Sequence, residues 1–495
     1  MNKEIKQLLH YGIHHKLLAP CDEIYCRNQL LDILKLSEYN DVGIDESDID
    51  SPQPILDRML SYAIDHGIIE DTQESRDSFD TRIMNALMPR PSEVISTFQK
   101  LCLHSSKAAT DYYYELSKAS NYIRMDRIRK DKKWLTPTRY GDLDITINLS
   151  KPEKDPKDIA RAKLLPPAVY PKCLLCKENE GYAGTLSHPA RNNHRLIPLT
   201  LNHTAYALQY SPYSYYPEHS IILNQDHIPM KIDANTFQCL LDFVEQFPHY
   251  FIGSNTDLPI VGGSILSHDH FQGGRFTFAM ARARMMEKRM SYAYPSVTYG
   301  RVFWPLSVIR LQSKNKEELI SFADEILHKW RDYSDASLDI LSHTEDTPHN
   351  TITPIARSHD GGWELDLTLR NNRTSEEHPM GIFHPHEPLH HIKKENIGLI
   401  EVMGLAILPS RLLHELQVIE DCLIQHSSLP DSLRSHEPWF AQLSAVTKNM
   451  NREELHHHIE QEVGHIFEQV LEDASVFKQD EKGQEGFLRF LDTVS

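Results

Sequence analysis

The stretch from Gly262 to Gly274, GGSILSHDHFQGG, constrains this chain more than any other. It sets His268, His270 and Gln272 at alternate positions. On a strand, alternate side chains share one face, so the spacing predicts three polar groups aimed the same way. Glycines on both sides let a ligand approach the backbone closely. Core packing gives no reason for such a row. The competing reading is a half-exposed strand with its polar residues turned outward.

The surroundings are mixed. Residues 1 to about 120 read helical: Ile5, Leu8, Leu9, Ile13 and Leu17 recur at helical spacing, and so do Ile55, Met59, Leu60 and Ile64. Ser51-Pro52 reads as a cap followed by proline, and Ser92 as a cap for the next helix. Strict alternation over Asp142–Leu149 predicts a strand, and alternation resumes over Gly274–Met280. A Pro- and Lys-rich connection covers 151–171. Helices are expected at Asp233–Phe247, Lys314–Tyr333 and Ile397–Glu420. A strand is expected at Phe303–Leu311, and a hairpin at Thr351–Leu369 turning on Asp360-Gly361-Gly362. Residues 436–495 read mostly helical. A second His-x-His at His384 and His386, in a similar succession of elements, suggests an internal duplication. The expected class is α+β.

Charge and ends exclude several functions. Lys plus Arg number 52 and Asp plus Glu 70, a formal net charge of −18, which argues against a nucleic-acid binder. The first eighteen residues lack the apolar core of a secretory signal. The apolar run Val402–Leu408 falls far short of the roughly 20 residues that span a bilayer. The expectation is a soluble, cytoplasmic protein without membrane partners. Seven scattered cysteines make no disulfide framework.

Three further groups of residues could carry chemistry. Cys173 and Cys176 form a CxxC that is either a metal anchor, a redox pair or two unrelated buried thiols. A tetrahedral zinc needs two more ligands, which His219 and His268 could supply. In IRMDRIRKDKKW, Arg124, Arg127, Arg129, Lys130, Lys132 and Lys133 outnumber Asp126 and Asp131. That stretch is either a solvated helix or loop, or an anion clamp for phosphate oxygens. FHPHEPLHH, residues 383–391, is a degenerate copy of the first site, a metal centre with Glu387, or a histidine-rich surface loop. Histidine abundance alone, 29 of 495 residues, selects none of these.

These motifs resemble the galactose-1-phosphate uridylyltransferases, in their longer bacterial class. The resemblance is carried by RDSFDTRIMNALMPRPSEV, YIRMDRIRKDKKW, YPKCLLCKENEGYAG, QYSPYSYYPEHSIILN, GGSILSHDHFQGG and FHPHEPLHHIKKENIGLIEVMGLAILP, in order along most of the chain. The better-known class carries His-Pro-His-Gly-Gln; here it is His-Asp-His-Phe-Gln. The resemblance implies two histidine-triad-like antiparallel-sheet halves with an added helical N-terminal region. The segments would be 1–120 helical, 121–295 catalytic with zinc, 296–435 the second half, and 436–495 helical.

The resemblance implies that the uridylyl group passes between UDP-glucose and galactose 1-phosphate, giving glucose 1-phosphate and UDP-galactose by ping-pong through a uridylyl-histidine. His270 falls on the nucleophile and Gln272 on the amide beside it. Cys173, Cys176, His219 and His268 fall on the zinc ligands. Arg127, Arg129, Lys132, Asn193, Asn255 and Ser264 are the candidate substrate contacts. A second metal is implied at His384 and His386, whose remaining ligands find no place in this sequence. A homodimer is implied. The alternatives are a sugar-nucleotide phosphorylase or hydrolase, a metal-dependent oxygenase at His384, His386 and Glu387, and a non-catalytic sugar-nucleotide sensor.

Overall fold

The computed structural model describes all residues except 45–49, 151–169, 186–187, 264 and 495. Most of the expected 151–171 connection, and Ser264, therefore lie outside the described residues. The chain forms two compact units. One comprises Met1–Lys130 and Ser150–Ile228, the other Asp131–Leu149 and Pro229–Ser495.

The first unit joins a helical array to a small antiparallel meander. The helices include Asn2–His14, Glu23–Ile33, Gln53–Asp65, Gln73–Asn85, Pro91–Cys102 and Ser106–Ala119. The expected apolar faces are buried: Ile5, Leu8 and Leu9 on the first helix, Ile55, Met59 and Leu60 on the third. Pro91, not Ser92, opens its helix, where a missing N–H costs nothing. The strands Ile197–Leu201, Thr204–Tyr210 and Ser220–Asn224 pair in sequence. Tyr210 ties this meander to the helices by donating to the Thr110 carbonyl at 3.1 Å, and Tyr113 does so through the Arg195 carbonyl.

The second unit carries an antiparallel run of seven strands. Their order is His270–Gly274, Phe251–Gly253, Asn350–His359, Gly362–Asn371, Val308–Ser313, Thr298–Val302, Met285–Met290. The helices Ala234–Gln246 and Lys316–Asp332 pack against it. The long hairpin forms as expected. Asp360 and Gly361 both adopt positive φ (47° and 73°), the two-residue turn whose twist matches the flanking strands. Arg310, Arg357, Glu364 and Asp366 meet on three adjacent strands. Arg310 grips Asp366 at 2.7 and 2.9 Å, and Arg357 Nε donates to Glu364 at 2.6 Å. Burial raises the pKa of Asp366, but the two guanidinium groups outweigh it and hold the pKa below the usual carboxylate value.

Three expected elements differ. The strand from His270 ends at Gly274, and Ala279–Arg282 is helical; Phe278 packs edge-on against Phe276 and Phe251 instead of continuing a ladder. The strand expected from Phe303 begins at Val308, because Pro305 has no amide hydrogen to donate. The segment Ile397–Glu420 is not one helix. It divides into a helical turn Leu399–Val402, a strand Leu405–Leu408, and a helix Arg411–Gln425. Gly404, at φ +103°, breaks the helical path. The new strand pairs in parallel with Gly141–Ile147, which pairs antiparallel with Lys132–Thr138. The mixture of helices and large antiparallel sheets, with a helical N-terminal region, is the expected α+β class.

Candidate active site

His270 opens the strand His270–Gly274, where Gln272 stands opposite Gly253 of the neighbouring strand. His270 and Gln272 share one face, two residues apart. His268 lies in the bend just before the strand, so the regular alternation holds for two of the three residues rather than all three. His268 and His270 are both buried.

The His270 ring is oriented by its own strand. Its Nδ1 lies 2.8 Å from the His268 carbonyl oxygen. A carbonyl only accepts, so Nδ1 carries the hydrogen and donates. Burial pulls the imidazole pKa below its ordinary value, and the bond to the His268 carbonyl only partly opposes this. The ring is therefore neutral at pH 7, and Nε2 is the nitrogen that carries the lone pair.

In the first unit, Cys173 and Cys176 bring their sulfurs to 3.6 Å. That is far beyond a disulfide bond and close to the roughly 3.8 Å that separates two sulfurs on one tetrahedral zinc. His227 Nδ1 lies 3.2 Å from the Cys176 sulfur. Burial pushes the Cys173 thiol up to about 11, so this sulfur ionises at neutral pH only against a cation. The donor set fits zinc. The imidazole beside the thiols is His227, which corrects the expectation of His219. The strand Ser220–Asn224 separates the two histidines. His219, at its start, stacks its ring on Tyr215 and lies against Tyr216, while His227 sits in the turn beyond its end.

The expected substrate contacts fare unequally. Arg127 is committed to Asp77, at 3.0 and 2.5 Å, beside a second bidentate pair between Arg124 and Asp80, at 2.6 and 2.7 Å. Two cations of the basic stretch are thus neutralised inside the first unit, and Arg129 and Lys132 remain exposed. Asn193 donates to the Ser120 carbonyl at 2.8 Å. Asn255 lies two residues beyond Gly253, the partner of Gln272, and its Oδ1 accepts from the Leu399 amide at 2.9 Å. It caps the helical turn that Gly398 leads into.

The second His-x-His does not echo the first in conformation. His384 and His386 lie in irregular chain, not on a strand. The His384 nitrogens lie 3.1 Å from the Pro385 carbonyl and 3.0 Å from Asn396 Oδ1. His386 Nδ1 faces Asp473 at 3.4 Å, Nε2 faces the Ile382 carbonyl at 3.1 Å, and the ring stacks on His378. Three of these four ring nitrogens thus have hydrogen-bond partners within the protein, and the fourth faces a carboxylate. The triplet His456-His457-His458 lies on the helix Arg452–Asp473, where His456 pairs with Glu420 at 2.9 Å.

Comparison with known proteins identifies the family. Residues 16–229 match the family model for the galactose-1-phosphate uridyl transferase N-terminal domain, and residues 243–437 match that for the C-terminal domain. The chain belongs to this family. The gap between the two family domains falls beside the contact boundary at Ile228 and Pro229. Among its relatives, the galactose-1-phosphate uridylyltransferase of Clostridium acetobutylicum is 54% identical over 498 residues, covering 100% of both chains. Those of Caldanaerobacter subterraneus (51%, 99% of this chain and 97% of the relative) and Bacillus subtilis (48%, again 99% and 97%) are also similar over nearly their full lengths. No solved structure matches the chain. No helix among the described residues is long and apolar enough to cross a membrane.

Proposed function

We propose that this chain is a galactose-1-phosphate uridylyltransferase. It exchanges a uridylyl group between UDP-glucose and galactose 1-phosphate. The observation that carries the mechanism is the tautomer of His270, fixed by the His268 carbonyl, which leaves Nε2 as the nucleophile. Nε2 attacks the α-phosphorus of UDP-glucose; a phosphorus–nitrogen bond forms as the bond to glucose 1-phosphate breaks. Galactose 1-phosphate then attacks the same phosphorus, releasing UDP-galactose and restoring the imidazole. The two displacements are similar, so the exchange runs as a ping-pong cycle.

Transfer of this kind depends on positioning and charge stabilisation. Gln272, on the same strand face, donates its amide to a non-bridging oxygen. A carboxamide does not act as a general acid or base near pH 7, which suits transfer rather than hydrolysis. Arg129 and Lys132 are the exposed cations suited to the anionic substrates; Asn193, Asn255 and Ser264 are weaker candidates. Cys173, Cys176 and His227 would hold a zinc ion, with His268 as the fourth ligand that the family resemblance implies. That ion would supply structural rigidity two residues from the nucleophile. The working unit is a homodimer.

Incubation with UDP-glucose labelled in the uridylyl group tests the reading. A labelled adduct on His270, chased off by galactose 1-phosphate, is the expected result. Label that neither attaches nor exchanges would overturn it.

A further inference from the structure

The second unit carries an imidazole pair that uridylyl transfer does not use. His436 is fully buried just ahead of the helix Glu437–Val446, with Nε2 3.1 Å from Glu415 Oε2. His391 meets it edge to face, ring centres 5.1 Å apart at 83°, with Nδ1 2.9 Å from the Pro388 carbonyl oxygen. Trp439 completes the cluster, its ring 5.4 Å from His391 and 6.0 Å from His436.

The partners fix both tautomers. Carboxylate and carbonyl oxygens only accept, so His436 carries its hydrogen on Nε2 and His391 on Nδ1. Burial holds both rings in the neutral form. A neutral imidazole has one N–H, so His436 Nδ1 and His391 Nε2 are bare lone pairs. Both are sealed from solvent, and neither has a hydrogen-bond partner among the described residues; the Trp439 Nε1–H is alike in both respects. Buried polar atoms without partners are rare, and three in one cluster call for a shared one.

We propose that His391 Nε2 and His436 Nδ1 bind one late first-row transition-metal ion, copper or zinc, at a site separate from the cysteines. The arrangement is the one that prepares histidine for ligation: each ring gives its other N–H to an oxygen, which fixes the tautomer and raises the basicity of the free nitrogen. Imidazole nitrogen suits these ions. The Trp439 N–H cannot ligate; it donates to the water or anion that completes the coordination. Two protein ligands make the ion exchangeable. The site also has a mechanical sense. His391 lies in the segment after the second His-x-His, His436 leads the C-terminal helices, and Arg411 already bridges toward them by donating to the His391 carbonyl at 3.2 Å while pairing with Glu415. A bound ion would clamp that segment to the helices.

The test titrates copper(II) into the full chain with its zinc retained. Wild type is expected to bind one more ion than His391→Gln or His436→Gln, with electron paramagnetic resonance showing two coupled imidazole nitrogens. His414→Gln, altered at an exposed histidine beside the same helix face, is expected to keep the full stoichiometry and accounts for surface binding. Copper should raise the melting temperature of wild type and not of His391→Gln. His391 is the less buried ring, so its variant remains informative if His436→Gln does not fold. Equal stoichiometry in wild type and His391→Gln overturns the proposal. So does a crystal structure of the copper-treated protein with only a water molecule joining the three nitrogens.

Discussion

The Nδ1 of His270 and the carbonyl oxygen of His268 lie 2.8 Å apart, so one backbone oxygen decides which face of the imidazole can react. His270→Asn removes the nucleophile and keeps a side chain of similar polarity. Uridylyl exchange is expected to fall on the order of a thousandfold or more. The melting temperature should change little. Exchange measured with labelled galactose 1-phosphate, beside a thermal scan, checks both.

His227 and His219 separate cleanly by metal content. Wild type is expected to carry about one zinc per chain. Cys173→Ser and His227→Gln should lose most of it, while His219→Gln retains it. Elemental analysis of the purified variants decides, and retention in His227→Gln would return the fourth place to another residue.

Asp366 neutralises two guanidinium groups at once. Asp366→Ala leaves Arg310 and Arg357 buried without their shared carboxylate. A loss of about 3–5 kcal/mol is expected in denaturant unfolding. A loss below about 1 kcal/mol would mean that Glu364 alone carries the pair.

His194 makes the fold sensitive to acid. It is buried, stacked on Tyr122, and hydrogen-bonded to Gln209 at 2.9 Å. Burial, aided by the nearby Arg191, pulls its pKa down to about 3. The unfolded chain takes up this proton near pH 6.5 and the folded chain does not. Stability is therefore full above about pH 6.5 and is lost as pH falls, by up to about 1.4 kcal/mol per pH unit. His194→Gln should flatten the fall in unfolding midpoint between pH 6.5 and 4.

Arg127 and Lys132 should respond differently to truncation. Arg127→Ala breaks the pair with Asp77 and is expected to cost about 1–2 kcal/mol of stability. Lys132→Ala should cost under about 0.5 kcal/mol and raise the KM for the sugar phosphate. Equal KM values for wild type and Lys132→Ala would remove that lysine from the substrate site.

Local patterns in the sequence carried much of this. The helical faces of residues 1–120, the Asp360-Gly361 turn and the strand around Leu143–Ile147 each follow from periodicity within a short window. The shared face of His270 and Gln272 was legible too, because the two stand at alternate positions of one short strand. What escaped depends on contacts far along the chain. Leu405–Leu408 reads as helix until Gly141–Ile147 is beside it. Arg127 reads as a free cation until Asp77, fifty residues earlier, is seen to hold it. His227 is one of several histidines between Cys176 and His268, and CxxC spacing does not rank them.

The parallel pairing of Leu405–Leu408 with Gly141–Ile147 also bears on synthesis. A ribosome delivers Gly141 long before Leu408. The hairpin of residues 132–147 must wait, one edge open, while the rest of the first unit and most of the second emerge. The chain enters the second unit at Asp131, leaves it after Leu149 and returns at Pro229, so no single cut yields both units whole. Truncation before Leu405 is expected to leave that waiting edge exposed, and the fragment prone to self-association.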